Sequence, residues 1–470
     1  MSDLLFTEDM HAEAARLTQS FTSSYHAGLS ERPVFPDVDR AALLRLMQAP
    51  LPKTAEPLAD LFAELEAVIV ENSTHTAHPR FLPYVQPSPN ALSAYAEHVA
   101  AVLNQNCNLW HLSPAAHAIE QTVLRWFAGL YGFPAESGGI ITSGGSMANL
   151  IALTAARDRS LGDQARAQGL QGGNAPLVLY TSDEVHSSID KAISVLGIGT
   201  DCLRHIPTDE HFRIRLDVLE MAVAEDRRAG LRPFCIIGNA GTVTTGAIDP
   251  IGELAKYCRR EDLWLHIDGA YGALAVLSDR FKAGMSDIGL ADSVSLDPHK
   301  FLFCSFEAGC VLVRDKETLS HAFGASPSYL TLSEDPDFLD FANYGPQLSR
   351  GFKALKVWWS LKHFGADSFA TAIDRMADLA AYMGNRIERH PGLELLAPVV
   401  FNCVCFRLAD STVSENRAVL KALVDSGDAF LGPANVKGEI GLRACFMNLR
   451  TTEEDIDFIL DRTVELKSAG

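Results

Sequence analysis

No apolar run in the sequence approaches the roughly 18 residues that a membrane-spanning helix needs. Its start, "MSDLLFTEDMHAEAARL", has neither a basic n-region nor an apolar h-region. No CxxC pair occurs, and the nine cysteines are scattered, several inside apolar runs such as "FNCVCFRL"; neither a metal site nor a disulfide framework is expected. Positive charge is also short. The 40 Lys and Arg residues face 59 Asp and Glu, a net charge of −19, which opposes nonspecific binding to nucleic acid or anionic membrane. There is no internal repeat and no low-complexity tract. These absences leave a globular chain, expected in the reducing cytoplasm, whose 470 residues suffice for one large domain and a smaller one or two.

Residues 1–90 read as helices broken by proline, as in "ERPVFPD" and "APLPKTAEPL". From about residue 138 short β-branched and apolar runs recur: "GGIITSG", "LVLYTSD", "CLRHIP", "FCIIGNAGT", "LWLHIDGAY", "SVSLDPHK" and "GCVLVRD". Helical stretches such as "MANLIALTAARDR" separate several of them, which predicts an α/β fold with a mainly parallel seven-stranded sheet in a large domain, residues 91–365. The polar segment 325–347 is a functional loop or a disordered one by length and composition. Residues 366–470 read as a small C-terminal α/β domain whose last helix carries a capping box at Thr451 and Glu454.

Four features fall at the carboxyl ends of strand candidates, where open α/β sheets bind ligands. In "IITSGGSMANLIAL", Gly144, Gly145 and Ser146 would offer backbone N–H groups and a helix dipole to a phosphate, or would simply make a strand-to-helix turn. Asp268 ends the apolar strand of "LWLHIDGAYG", where a carboxylate needs a cation or hydrogen bonds or acts as an N-cap. His186 follows a strand in "SDEVHSSIDKA"; a lone histidine there is more often structural than catalytic. Lys300, beside His299 in "SVSLDPHKFLF", lies between a strand and an apolar run, although an ammonium is rarely buried unless paired or neutralised. A phosphate cradle, a buried carboxylate, a flat imidazole and an amine together fit pyridoxal 5'-phosphate. Lys300 would form the Schiff base and lose its separate ammonium, Asp268 would keep the pyridine nitrogen protonated, and His186 would stack on the ring.

With these residues in place, the sequence resembles the group II pyridoxal-phosphate decarboxylases, which include aromatic-L-amino-acid decarboxylase, over nearly its whole length. The likeness rests on "HPRFLPY", "LWHLSPAAHAIE", "TSGGSMANLIAL", "HSSIDKA", "GTVTTGAID", "WLHIDGAYG", "DPHKFLF", "SRGFKALKVW" and "LRACFMN". It implies a fold-type I, aspartate aminotransferase-like homodimer with active sites at the subunit interface. The segment 1–90 would wrap over the partner, and a mobile loop after the lysine would close over the neighbouring site. In that loop the resemblance implies Tyr329 of "SPSYL" as proton donor to Cα once carbon dioxide has left. A phenol with a pKa near 10 keeps that proton at neutral pH; members with phenylalanine there tend to make aldehydes.

The chain departs from the aromatic-amino-acid enzymes at several positions. Asp297 stands where an asparagine near the phosphate is frequent, and a carboxylate there is repulsive unless turned away or paired. Val243 replaces a cofactor-facing threonine, flanked by Thr242, the remaining cofactor-facing candidate, and Thr244. Ala342 replaces an arginine, whereas Arg350 is kept. Among substrate-pocket candidates, Thr76, Val85 and Asn108 replace aromatic residues, Asn106 replaces an aliphatic one, and Tyr84 adjoins them. Loss of aromatic walls removes apolar area for an aromatic side chain, and asparagines favour polar groups. The expected activity is decarboxylation of an L-amino acid to its amine and carbon dioxide, aromatic-type but with a more polar pocket. The alternatives are a polar, acidic or diamino substrate (Arg80 being the candidate cation for a second carboxylate), a decarboxylation-dependent aldehyde synthase, a transaminase, or a non-catalytic cofactor-binding relic.

Overall fold

Seven runs dominated by Ile, Val, Leu and Cys, bounded by glycine, proline or polar turns, form one sheet in the computed structural model, which describes residues 4–162, 165–172, 175–324 and 339–468. The strands are β1 (Gly138–Thr142), β2 (Leu177–Ser182), β3 (Leu203–Ile206), β4 (Arg232–Asn239), β5 (Trp264–Asp268), β6 (Ser293–Leu296) and β7 (Gly309–Val313), in the order β1-β7-β6-β5-β4-β2-β3. From β3 to β6 neighbours are parallel; β7 runs antiparallel to both β6 and β1. Every residue of β2, β5, β6 and β7 is buried, as a sheet covered on both faces requires. This is the mainly parallel α/β sheet that the alternation of strands and helices predicts.

Register aligns the polar strand ends. Asp268 on β5 pairs with Asn239 on β4 and with Ser295 on β6. Two residues earlier, and so on the same face, His266 pairs with Ser293. The helix Gly145–Leu161 follows β1 and packs over β4, β5, β6 and β7. Its buried alanines, Ala148, Ala152, Ala155 and Ala156, keep the helix close to the sheet, while Ile151 and Leu153 each contribute about 1.5–3 kcal/mol of burial. That closeness brings Asn149, 1% exposed, onto the polar strand ends.

The chain divides into two compact units. One comprises Pro89–Ala381 and Ala397–Val404 and holds the large sheet; the other comprises Met1–Ser88, Tyr382–Leu396 and Cys405–Gly470. A second sheet has the order β10-β11-β9-β8, from β8 (Leu393–Leu395), β9 (Cys403–Leu408), β10 (Gly432–Val436) and β11 (Glu439–Cys445). The last helix, Glu453–Ser468, is capped one residue later than its sequence suggests. Thr452 N donates to Asp455 Oδ2 at 3.0 Å and Asp455 N to Thr452 Oγ1 at 3.4 Å. Thr451 is turned inward, donating to the Pro79 carbonyl at 2.6 Å.

Gly309, opposite Thr142, touches the turn after β1: a Cβ there would lie 2.3 Å from Gly144 Cα. Gly309→Ala should therefore destabilise the chain by about 1–3 kcal/mol. Gly129→Ala, in an exposed helical position with open space around it, should be neutral or stabilising; thermal unfolding of both variants checks the contrast.

Candidate active site

The strand ends open on a cavity of about 310 Å³ whose walls include Gly144, Gly145, His186, Asp268, His299 and Lys300. Lys300 is delivered by local sequence. β6 stops at Leu296, and Pro298, suited to a first helical position, starts the one-turn helix Pro298–Phe301. Phe301, Leu302 and Phe303 then anchor the segment in the core, each no more than 1% exposed. Lys300 Nζ lies 3.0 Å from Asp297 Oδ2, with 20% of its side chain exposed. The lysine is thus in a pocket and paired.

Asp297 is 2% exposed, and its Oδ1 has no hydrogen-bond partner among the described residues. Its Oδ2 also lies 3.5 Å from His299 Nε2. His299 Nδ1 accepts from Ala308 N at 3.2 Å, so the neutral ring carries its proton on Nε2, facing Asp297. Burial lowers the His299 pKa, with Asp297 opposing. Beside Asp297 and His299, the helix Gly145–Leu161 begins without a side-chain cap, leaving first-turn N–H groups for a ligand. A Cβ on Gly145 would meet Ala270 Cβ at 2.6 Å, and one on Gly144 would meet His299 Cε1 at 3.3 Å. These glycines let the backbone reach the cavity wall.

Asp268 is 7% exposed, and three donors meet its carboxylate. Asn149 Nδ2 reaches Oδ2 at 2.9 Å; Ser295 Oγ and Ala270 N reach Oδ1, each at 3.2 Å. A buried carboxylate so satisfied escapes the several kcal/mol that an unpaired one costs. His186, exposed at the rim, accepts at Nδ1 from Ser188 N at 3.2 Å and contacts Ser188 Oγ at 2.8 Å. Partial desolvation lowers its pKa, and Asp268 opposes the shift.

A family profile described as the pyridoxal-dependent decarboxylase conserved domain matches residues 41–409. The chain belongs to this family. It is 37% identical to the aromatic-L-amino-acid decarboxylase of Bacillus atrophaeus over 91% of this chain and 89% of that protein. It is 30% identical to a phenylacetaldehyde synthase of Arabidopsis thaliana, covering 94% and 92%. A crystal structure of Oryza sativa TDC with PLP and tryptamine superposes with a TM-score of 0.92 at 26% identity, covering 99% of both chains. The protein is a pyridoxal-phosphate-dependent decarboxylase, a carboxy-lyase of the fold-type I kind.

The cavity of this decarboxylase fits that cofactor: glycines pack the cradle where Cβ atoms would intrude, and an amine and a hydrogen-bonded carboxylate line the same space. Ser146 lines it as well, but Thr242 does not. Thr242 is buried, its hydroxyl bonded to Thr245 Oγ1 and to Ala247 N, both at 3.0 Å, and Val243 faces the cavity in its place. Asn106 and Asn108 are also outside the lining. Asn106 Oδ1 accepts from Arg350 N at 3.0 Å, whereas Asn108 Oδ1 is buried without a partner among the described residues. Thr76, Tyr84 and Val85 belong to the other compact unit. So does Arg80, whose guanidinium lies 4.3 Å from the Phe458 ring and 4.0 Å from Asp455. Tyr329 lies outside the described residues.

Sequence reasoning missed Asn149, Ser188, His266 and Ser295. The available signals were the "HxD" spacing of His266 and Asp268 and the alternating serines of "SVSL" on a strand otherwise wholly apolar.

His266 is fully buried, and burial holds its pKa down at about 4 against an ordinary 6.5. Between those values the unfolded chain takes up a proton that the folded chain refuses. This contribution to stability is therefore complete above pH 6.5 and lost as pH falls towards 4. His78, also held at about 4, acts in the same direction, and Asp249, raised to about 6 by burial, acts oppositely. His266→Gln should flatten the pH dependence of stability in that window by up to about 1.4 kcal/mol per pH unit, seen as a smaller fall in Tm from pH 6.5 to 4.5.

Proposed function

We propose that the chain converts an L-amino acid to its amine and carbon dioxide in a pocket more polar than that of aromatic-amino-acid decarboxylases. The observation that carries this reading is the convergence of Lys300 Nζ, the Asp268 carboxylate, His186 and the uncapped helix start at Gly145 on one cavity. Gly144, Gly145 and Ser146 would hold the phosphate through backbone N–H groups and the helix dipole. Bound there, pyridoxal phosphate supplies an aldehyde that condenses with amines and a protonated ring that accepts the electron pair left when a carboxylate departs. Asp268 would hold the proton at the ring nitrogen. Lys300 would anchor the aldehyde until the substrate amine takes its place, with Asp297 3.0 Å from Nζ to pair with the lysine whenever it is protonated. His186 would cover one ring face, and Tyr329 would deliver a proton to the substrate Cα, giving amine rather than aldehyde.

The polar-pocket reading rests on Thr76, Val85 and Asn108 standing where aromatic residues are usual, which removes apolar area for an aromatic side chain. A homodimer with sites at its interface belongs to the same proposal. Phe306 is 57% exposed although its ring centroid lies 4.6 Å from that of His299, the kind of apolar rim that a second subunit would cover.

The test is a mass-spectrometric screen of cofactor-loaded protein against a panel of L-amino acids, scoring amine and aldehyde separately. Amine should dominate; aldehyde as the main product from the unmodified chain would overturn the role of Tyr329. Tyr329→Phe should move product from amine towards aldehyde, and Asp268→Asn should nearly abolish both.

A further inference from the structure

Behind Asp268 runs a chain of buried hydrogen bonds whose direction can be worked out atom by atom. Trp264 Nε1 only donates, and it reaches Ser293 Oγ at 2.8 Å. Ser293 Oγ lies 2.8 Å from His266 Nδ1, and His266 Nε2 lies 3.0 Å from Asn149 Oδ1. Asn149 Nδ2 then donates both to Asp268 Oδ2 at 2.9 Å and to Ser188 Oγ at 3.0 Å. Ser188 Oγ meets His186 Nδ1 at 2.8 Å. Only one polarity satisfies every atom. If His266 carried its proton on Nδ1, Asn149 would have to flip, setting its oxygen against the Asp268 carboxylate, two acceptors in contact. Trp264, Ser293, His266, Asn149 and Ser188 are each at most 3% exposed, so water does not offer substitutes. With its pKa near 4, His266 stays neutral over the ordinary working range and retains one tautomer.

We infer that His266, Ser293 and Asn149 are positioning residues: a one-way relay that aims Asn149 at Asp268 Oδ2 and, through Ser188, leaves His186 with its proton on Nε2. Asp268 thereby presents its carboxylate in one fixed orientation to the cofactor's ring nitrogen. The inference rests on the ring-nitrogen role proposed for Asp268. Asp268 sets the polarity because its carboxylate only accepts, which fixes Asn149 and through it His266, and no member of the relay other than Asn149 and Ser188 reaches the cavity wall.

The test compares binding of pyridoxal phosphate with that of its 1-deaza analogue, in which carbon replaces the ring nitrogen, to the full-length chain by fluorescence titration. His266→Phe should weaken pyridoxal phosphate roughly 10-fold, as loss of support for a hydrogen bond to a charged group implies, while changing the deaza analogue less than about 2-fold. His266→Gln, which can still donate to Asn149 and accept from Ser293, should restore both affinities. Ser293→Ala, a smaller change that tests the same polarity should His266→Phe not fold, should show the same selective loss at lesser extent. Equal weakening of both ligands, or of neither, overturns the relay while leaving the assigned function intact. A wild-type chain that binds the two ligands equally well overturns the ring-nitrogen role of Asp268, and with it the relay's target.

Discussion

Two buried carboxylates and a half-buried amine at neighbouring strand ends set the terms for the whole site. Asp268, Asp297 and Lys300 lie at the ends of β5 and β6 or one helical turn beyond, where bare charge is expensive. Each is accommodated differently. Asp268 is met by neutral donors from a helix, a strand and its own following turn. Asp297 is paired through one oxygen with Lys300 and faces His299. Lys300 keeps contact with the cavity while its neighbours Phe301 to Phe303 fix its backbone.

That requirement reaches into the sheet. His266 and Ser293 face one another across β5 and β6, with Asp268 and Ser295 one pleat further on. A one-residue slip between these strands would turn the polar row to the opposite face, so hydrogen bonding and apolar burial select the same register. The helix Gly145–Leu161 has two tasks for the same reason: its alanines let it sit close to the sheet, and its first turn and Asn149 then line the same cavity.

Much of this was legible in the residues. Seven apolar runs became the seven strands because each was short, β-branched and closed by turn-formers, and the strand-end positions of Gly145, Asp268 and Lys300 followed from those boundaries. The insertion of β7 between β1 and β6 was not legible, since its antiparallel pairing with β1, far earlier in the sequence, leaves no local pattern. Nor was the inward turn of Thr242: "GTVTTG" offers three threonines and one valine without saying which faces the ligand. Asn149 looked like any polar residue of a helix until packing placed it against Asp268. Thr451 and Thr452 are equally good caps by type, and only the Pro79 carbonyl decides between them.

The central claim is that this strand-end cavity holds the cofactor with Lys300 as its covalent anchor. The most direct measurement is borohydride reduction of the cofactor-loaded chain followed by peptide mapping. A single pyridoxyl group on Lys300 is the expected result. A pyridoxyl group on any other lysine, or none at all, would contradict it.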